Sequence, residues 1–125
     1  MLHNLFGFLV PKSSAQQEAE AQRALLREAA RIGGAVFGPI PEGVRREFFC
    51  LDEHTWVWHE EWTDDRKIHH ARTTRYDVRP HGIFKAQDGQ PYHPIGRQEI
   101  LNFYNAVNTY GQTVDAYFLP RLAHA

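Results

Sequence analysis

The sequence predicts an α+β domain: a four-stranded antiparallel β-meander flanked by an N-terminal and a C-terminal amphipathic helix. Three observations carry that expectation. Apolar residues recur at helical spacing towards both ends of the chain, over 14–32 and 97–119. Between them, over 55–63, large apolar and polar residues alternate with period two. A proline-led turn, Arg79-Pro80-His81-Gly82, joins two further strand-like runs. A helical face repeats about every 3.6 residues and a strand face every two, so the patterns specify different elements.

The first helix opens at a serine pair. Ser13…Gln16 and Ser14…Gln17 both have the capping-box spacing, and the stretch that follows is rich in strong helix formers. Ala21, Leu25, Ala29 and Ile32 share one face, and Gly33-Gly34 ends the helix. The glycine- and proline-rich stretch 33–43 reads as a connecting loop. Strand-like runs follow at 46–51, 55–63, 68–79 and 83–87, with polar turns at 52–54 and 64–67. At Pro80-His81-Gly82 a three-residue hairpin with a left-handed Gly82 would set Val78 opposite Phe84 and Tyr76 opposite Ala86. In the last helix Ile100, Phe103, Tyr104, Val107, Tyr110, Val114, Tyr117 and Phe118 form one broad stripe, and Pro120 closes it. Gly111 lies on that stripe, which points to a close approach by the alanine-rich first helix or a strand.

The 125 residues fit one domain, assigned to 13–125, preceded by an apolar arm over 1–12. About ten apolar residues in that arm are too few to cross a bilayer, which takes about 20. The arm is expected to pack on the domain or on a second copy. The formal net charge of −1 gives no global case for binding nucleic acid or an anionic membrane. A single cysteine, Cys50, rules out an internal disulfide, fits a reducing cytoplasmic setting and sits in an apolar run as a small buried hydrophobe. No GxSxG, Walker, dinucleotide, HExxH or CxxC motif is present, so no cofactor is implied and no catalytic residue is assigned.

The runs Phe48-Phe49-Cys50-Leu51-Asp52-Glu53, Thr55-Trp56-Val57-Trp58-His59-Glu60-Glu61-Trp62 and Thr73-Thr74-Arg75-Tyr76-Asp77-Val78-Arg79-Pro80 resemble a family of small uncharacterised proteins from candidate-phylum bacteria. The resemblance covers roughly residues 48–118. It implies a bacterial intracellular protein and no particular activity.

Three constellations are candidates for function. Trp56, Trp58 and Trp62 lie on one face of one strand and form either core or a binding platform, together with Arg75 and Tyr76. The register of the second hairpin decides: one parity sets Trp56 and Trp58 on the Tyr76 and Val78 side as core, the other beside Thr73 and Arg75 on an open face. His59 and Glu61 share the opposite face, and His70 is expected across from them as a third, weak metal candidate, with His69 turned away. The same face could place His59 or Glu60 near Asp77 for acid–base work, though without an evident pocket. Arg72, Arg75 and Arg79 with Tyr76 echo a surface that stacks single-stranded bases, against which stand the acidic pairs nearby. The leading expectation is a non-enzymatic protein-interaction or assembly module, self-associating through its aromatic sheet face and apolar arm. The alternative is a small-molecule or hydrolytic pocket between the sheet and the last helix, lined by Tyr104, Tyr110 and the tryptophans.

Overall fold

A computed structural model of the chain describes residues 13–123; the arm at 1–12, with the packing expected of it, lies outside the described residues. The element order is α1 (Ser14–Gly33), β1 (Val44–Cys50), β2 (Thr55–Thr63), β3 (His69–Arg79), β4 (Gly82–Gln87), β5 (His93–Pro94) and α2 (Arg97–Ala123). The strands pair antiparallel in chain order, β1-β2-β3-β4-β5. The α+β expectation holds, with five strands where the sequence predicts four. The extra strand is two residues long and contains Pro94, which no alternation pattern could reveal.

Of the two serine caps, Ser13 is the one used. Its hydroxyl accepts from the Gln16 N–H at 3.2 Å, and the Gln16 side chain accepts from the Ser13 N–H at 2.9 Å. At the other end of α1 the chain meets β1 backbone to backbone. A Cβ placed on Gly33 would lie 2.1 Å from the Phe48 carbonyl oxygen, and one on Gly34 would lie 2.1 Å from that of Arg46. Two consecutive residues without side chains are what allow the helix to touch the strand.

Trp56 pairs with Tyr76 and Trp58 with Thr74, the parity that sends the tryptophans to the helix-covered face. There Phe48, fully buried, is ringed by Phe37, Trp56, Trp58 and Tyr110 at centroid distances of 5.3, 5.2, 6.2 and 5.8 Å. Phe103 and Ala106 of α2 complete the buried cluster, with Tyr76, Val78, Ile83 and Val107 packed around it.

The third hairpin differs from expectation by one position. Arg79 pairs directly with Gly82, so the loop is the two residues Pro80-His81. Val78 therefore faces Ile83 and Tyr76 faces Lys85, while Phe84 and Ala86 turn to the other side opposite Asp77 and Arg75. A slip of one residue exchanges the two faces of a strand. The observed register has its own polar logic: Lys85 Nζ reaches Glu99 Oε2 at 2.8 Å, and the Tyr76 hydroxyl donates to the same oxygen at 3.2 Å. The three-residue loop with a left-handed residue occurs instead between β2 and β3. There Lys67 has φ +63°, and the Asp64 carboxylate accepts from the Arg66 and Ile68 N–H groups.

Two expectations for α2 are corrected. No atom lies within 4 Å of a Cβ on Gly111, so the close approach belongs to Gly33. The helix also runs through Pro120 to Ala123. Proline removes one intrahelical donor, but Arg121 Nη1 donates to the Tyr117 carbonyl at 2.6 Å and its guanidinium covers the Tyr117 ring, holding the last turn.

Candidate functional site

Among the described residues both helices lie on one side of the sheet and leave its other face open, and alternation lines that face with Arg45, Glu47, His59, Glu61, His69, Thr73, Arg75 and Asp77. Glu61 is the hub. Its oxygens lie 3.2 Å from His69 Nε2, 3.4 Å from His59 Nε2 and 3.3 Å from Arg45 Nη1, and His69 above all holds its carboxyl below the usual range. His59 Nδ1 and Thr73 Oγ1 share a hydrogen bond of 2.8 Å.

The expected metal trio is thus corrected: His69 joins His59 and Glu61, whereas His70 lies on the helix side, stacked on Trp62 and 2.8 Å from Asp64 Oδ2. The reason is the hairpin register, which pairs Trp62 with His70 and Thr63 with His69. Among the described residues, no three His, Cys, Asp or Glu side chains are placed to hold a metal ion.

The residues expected to bind together are divided between the faces. Trp56 is core. Trp58 donates from Nε1 to Glu60 at 2.7 Å and lies under Arg46. Trp62, half-buried, carries Arg72 over its ring at 5.8 Å. Tyr76 stays on the helix side, but Arg75 points to the open face, so the arginines and aromatics form no single stacking array. The space expected as a pocket between sheet and α2 is filled by rings: Trp56 meets Tyr110 at 5.2 Å and Phe103 at 6.2 Å, while Tyr104 is exposed. Burial pushes the Cys50 thiol up, the opposite of what activates a nucleophile.

A third surface emerges only from the structure. The apolar stripe of α1 is buried at Ala29 but open at Ala21 and Leu25; from residue 14 to 27 every residue except Ala19 is exposed. The matching half of α2 runs alongside it in the opposite direction. Gly33 lies at Tyr110, and a groove of about 480 Å³ farther out is lined by Ala21, Ala24, Leu25, Phe118 and Leu122. Leu25 is 43% and Leu122 58% exposed, with Leu26 and Leu119 beside them more open still.

Comparison with models of known families, with curated proteins and with solved structures finds no match. What this surface does is therefore argued from its chemistry. Periodicity marked Ala21, Leu25 and Phe118 as apolar-face residues, but not that the sheet stops short of them. Among the described residues, no helix is long and apolar enough to cross a membrane.

Proposed function

We propose that the protein is a non-enzymatic interaction and assembly module that works through the outer halves of α1 and α2 rather than through its aromatic sheet face. One observation carries this reading: both amphipathic stripes continue past the sheet, and among the described residues the groove between them stays open. Nearly four turns of α1 with almost no burial gain little from hydrogen bonding alone, because a short isolated helix is marginal in water. Covering Leu25, Phe118 and Leu122 would contribute roughly 25 cal/mol per Å² of apolar surface removed from water. A contiguous apolar groove rimmed by charges is what docking surfaces present. A cytoplasmic setting belongs to the same reading, supported by the free thiol of Cys50. So does membership of the candidate-phylum family, supported by the runs quoted above.

The test is the double variant Leu25→Glu/Leu122→Glu. If the groove is a docking surface, the variant melts within a few degrees of the parent and binds markedly less of an apolar-surface dye. A large drop in melting temperature would show that the groove belongs to the domain's own core and would overturn the proposal. Unchanged dye binding would overturn it equally.

A further inference from the structure

The open face of the sheet carries a hollow of its own, separate from the helical groove. It measures about 510 Å³, the size of a small-ligand site, and lies at the end of β4, lined by Thr73, Arg75, Ala86, Asp88, Gln90 and Tyr92. Arg75 stands between Val57 and Ala86, which are only 5% and 7% exposed, so its stem lies on apolar surface. Its guanidinium makes no hydrogen bond or ion pair among the described residues. Asp88 is pinned opposite Thr73: its N–H donates to the Thr73 carbonyl and its Oδ1 accepts from the Thr73 N–H, both at 2.9 Å. Its Oδ2 has no partner among the described residues. That position makes Asp88 the diagonal neighbour of Arg75, typically about 7–8 Å away between Cα atoms, and the two form no ion pair with each other.

Thr73 is the third polar group, and the network behind it sets its direction. Glu61 Oε2, 3.4 Å from His59 Nε2, favours the ring proton on that nitrogen. Nδ1 is then an acceptor, and the Thr73 hydroxyl donates to it at 2.8 Å. With its proton committed to His59, the Thr73 oxygen offers the hollow lone pairs only. The lining thus presents one unpaired cation, two acceptors of which one is anionic, an apolar floor and the half-exposed ring of Tyr92. A simple anion would meet Asp88 and a simple cation would meet Arg75, whereas a zwitterion satisfies both.

We propose that this hollow binds a free aromatic α-amino acid. Its carboxylate sits on Arg75, its ammonium between Asp88 and Thr73, and its side chain over Ala86 against the Tyr92 ring. The two charged groups of an α-amino acid are one carbon apart, which suits a cation and an anion that are neighbours without touching. The planar guanidinium takes a carboxylate through two parallel hydrogen bonds, and the phenol ring offers a face for stacking. This site is independent of the groove between α1 and α2 and does not rest on the docking reading.

The test is titration of the full chain with L-phenylalanine, read by heat of binding and by backbone amide shifts. Two analogues run beside it: N-acetyl-L-phenylalanine, which lacks the ammonium, and phenethylamine, which lacks the carboxylate. L-Phenylalanine is expected to bind with a Kd of about a millimolar or tighter and to move the amides of Thr73, Arg75, Asp88 and Tyr92. Each analogue is expected to bind about tenfold more weakly or worse, because it leaves a charged group of the site without its partner. Arg75→Gln and Asp88→Asn are expected to lose a similar factor. Asparagine keeps an acceptor for the Thr73 N–H, so circular dichroism should show the parent's fold.

An absence of amide shifts at tenfold higher concentration would overturn the site. N-acetyl-L-phenylalanine binding as well as the free amino acid would overturn the ammonium contact, and phenethylamine doing so would overturn the contact to Arg75. Those two arms use the parent protein and hold whatever the variants do. Shifts confined to α1 and α2, or full affinity in Arg75→Gln, would place the amino acid elsewhere and overturn the assignment.

Discussion

Replacing Gly33 by alanine separates backbone-to-backbone packing of α1 on β1 from ordinary helix propensity. On propensity alone the change is favourable, because alanine in a helix is better than glycine by up to about 1 kcal/mol. The structure reverses the sign. The added Cβ would sit 2.1 Å from the Phe48 carbonyl oxygen and 2.9 Å from the Tyr110 ring. The ring can turn, but the carbonyl is held in the sheet, so α1 must retreat by about 1 Å to restore ordinary contact in a close-packed interior. That retreat opens the cover over Phe48 and the seat of Ala29 and Ala30, and overpacking of this kind typically costs 1–3 kcal/mol, or about 3 where backbone must yield. At about 4 °C per kcal/mol for a domain of this size, Gly33→Ala is expected to lower the melting temperature by roughly 10 °C. Gly111→Ala is the control. It meets nothing within 4 Å, so it is expected to raise the midpoint by a few degrees. Thermal and urea unfolding followed by circular dichroism reads both. A Gly33→Ala protein as stable as the parent would refute the close seating of α1, and equal losses at both glycines would refute the contrast.

Phe48→Ala removes the ring that four aromatic side chains surround, and is expected to cost about 3–5 kcal/mol in urea denaturation; a loss under about 1 kcal/mol would mean that Phe48 is not the hub. Lys67→Gly relieves a left-handed lysine and is expected to gain about 0.5–1 kcal/mol, whereas a loss would show that the lysine side chain contributes a contact. Glu61 and Asp64 are held below the ordinary carboxylate range, chiefly by His69 and His70 respectively. Depressed groups stabilise the fold above their unfolded values of about 4 and lose that contribution as pH falls further. Melting temperature should therefore drop in acid, and less steeply for Glu61→Gln/Asp64→Asn; parallel curves would refute the linkage. The Tyr76 phenol is pushed up by burial and then by Glu99. Stability from this group is intact below about pH 10 and declines as pH rises beyond it. In an ultraviolet titration Tyr76→Phe should remove the latest-ionising step, and a profile missing an early step instead would contradict the assignment.

Much of the fold was readable because local signals agreed. The Ser13 cap, the tryptophan alternation and the two helical stripes each specify an element by side-chain chemistry that does not depend on distant residues. Register was less accessible. Whether a hairpin closes with two or three loop residues depends on backbone conformations that different residues can adopt, and here the left-handed position fell to Lys67 rather than Gly82. Each hairpin register settles every face beyond it. One exchanged the expected places of His69 and His70, and the other sent Phe84 and Ala86 to the open side. The helical groove escaped notice for another reason. Periodicity says which side of a helix is apolar, not how far its cover extends.

The glycine pair at the end of α1 has a consequence for assembly. The carbonyls of Arg46 and Phe48 belong to the border of the sheet that β2 leaves unpaired, and the helix end blocks them. At the opposite border β5 is two residues long and holds Pro94, which has no N–H to offer an incoming strand. Neither margin is a template for strand addition. The two sheet borders thereby disfavour open-ended growth by edge-to-edge pairing of one copy on the next.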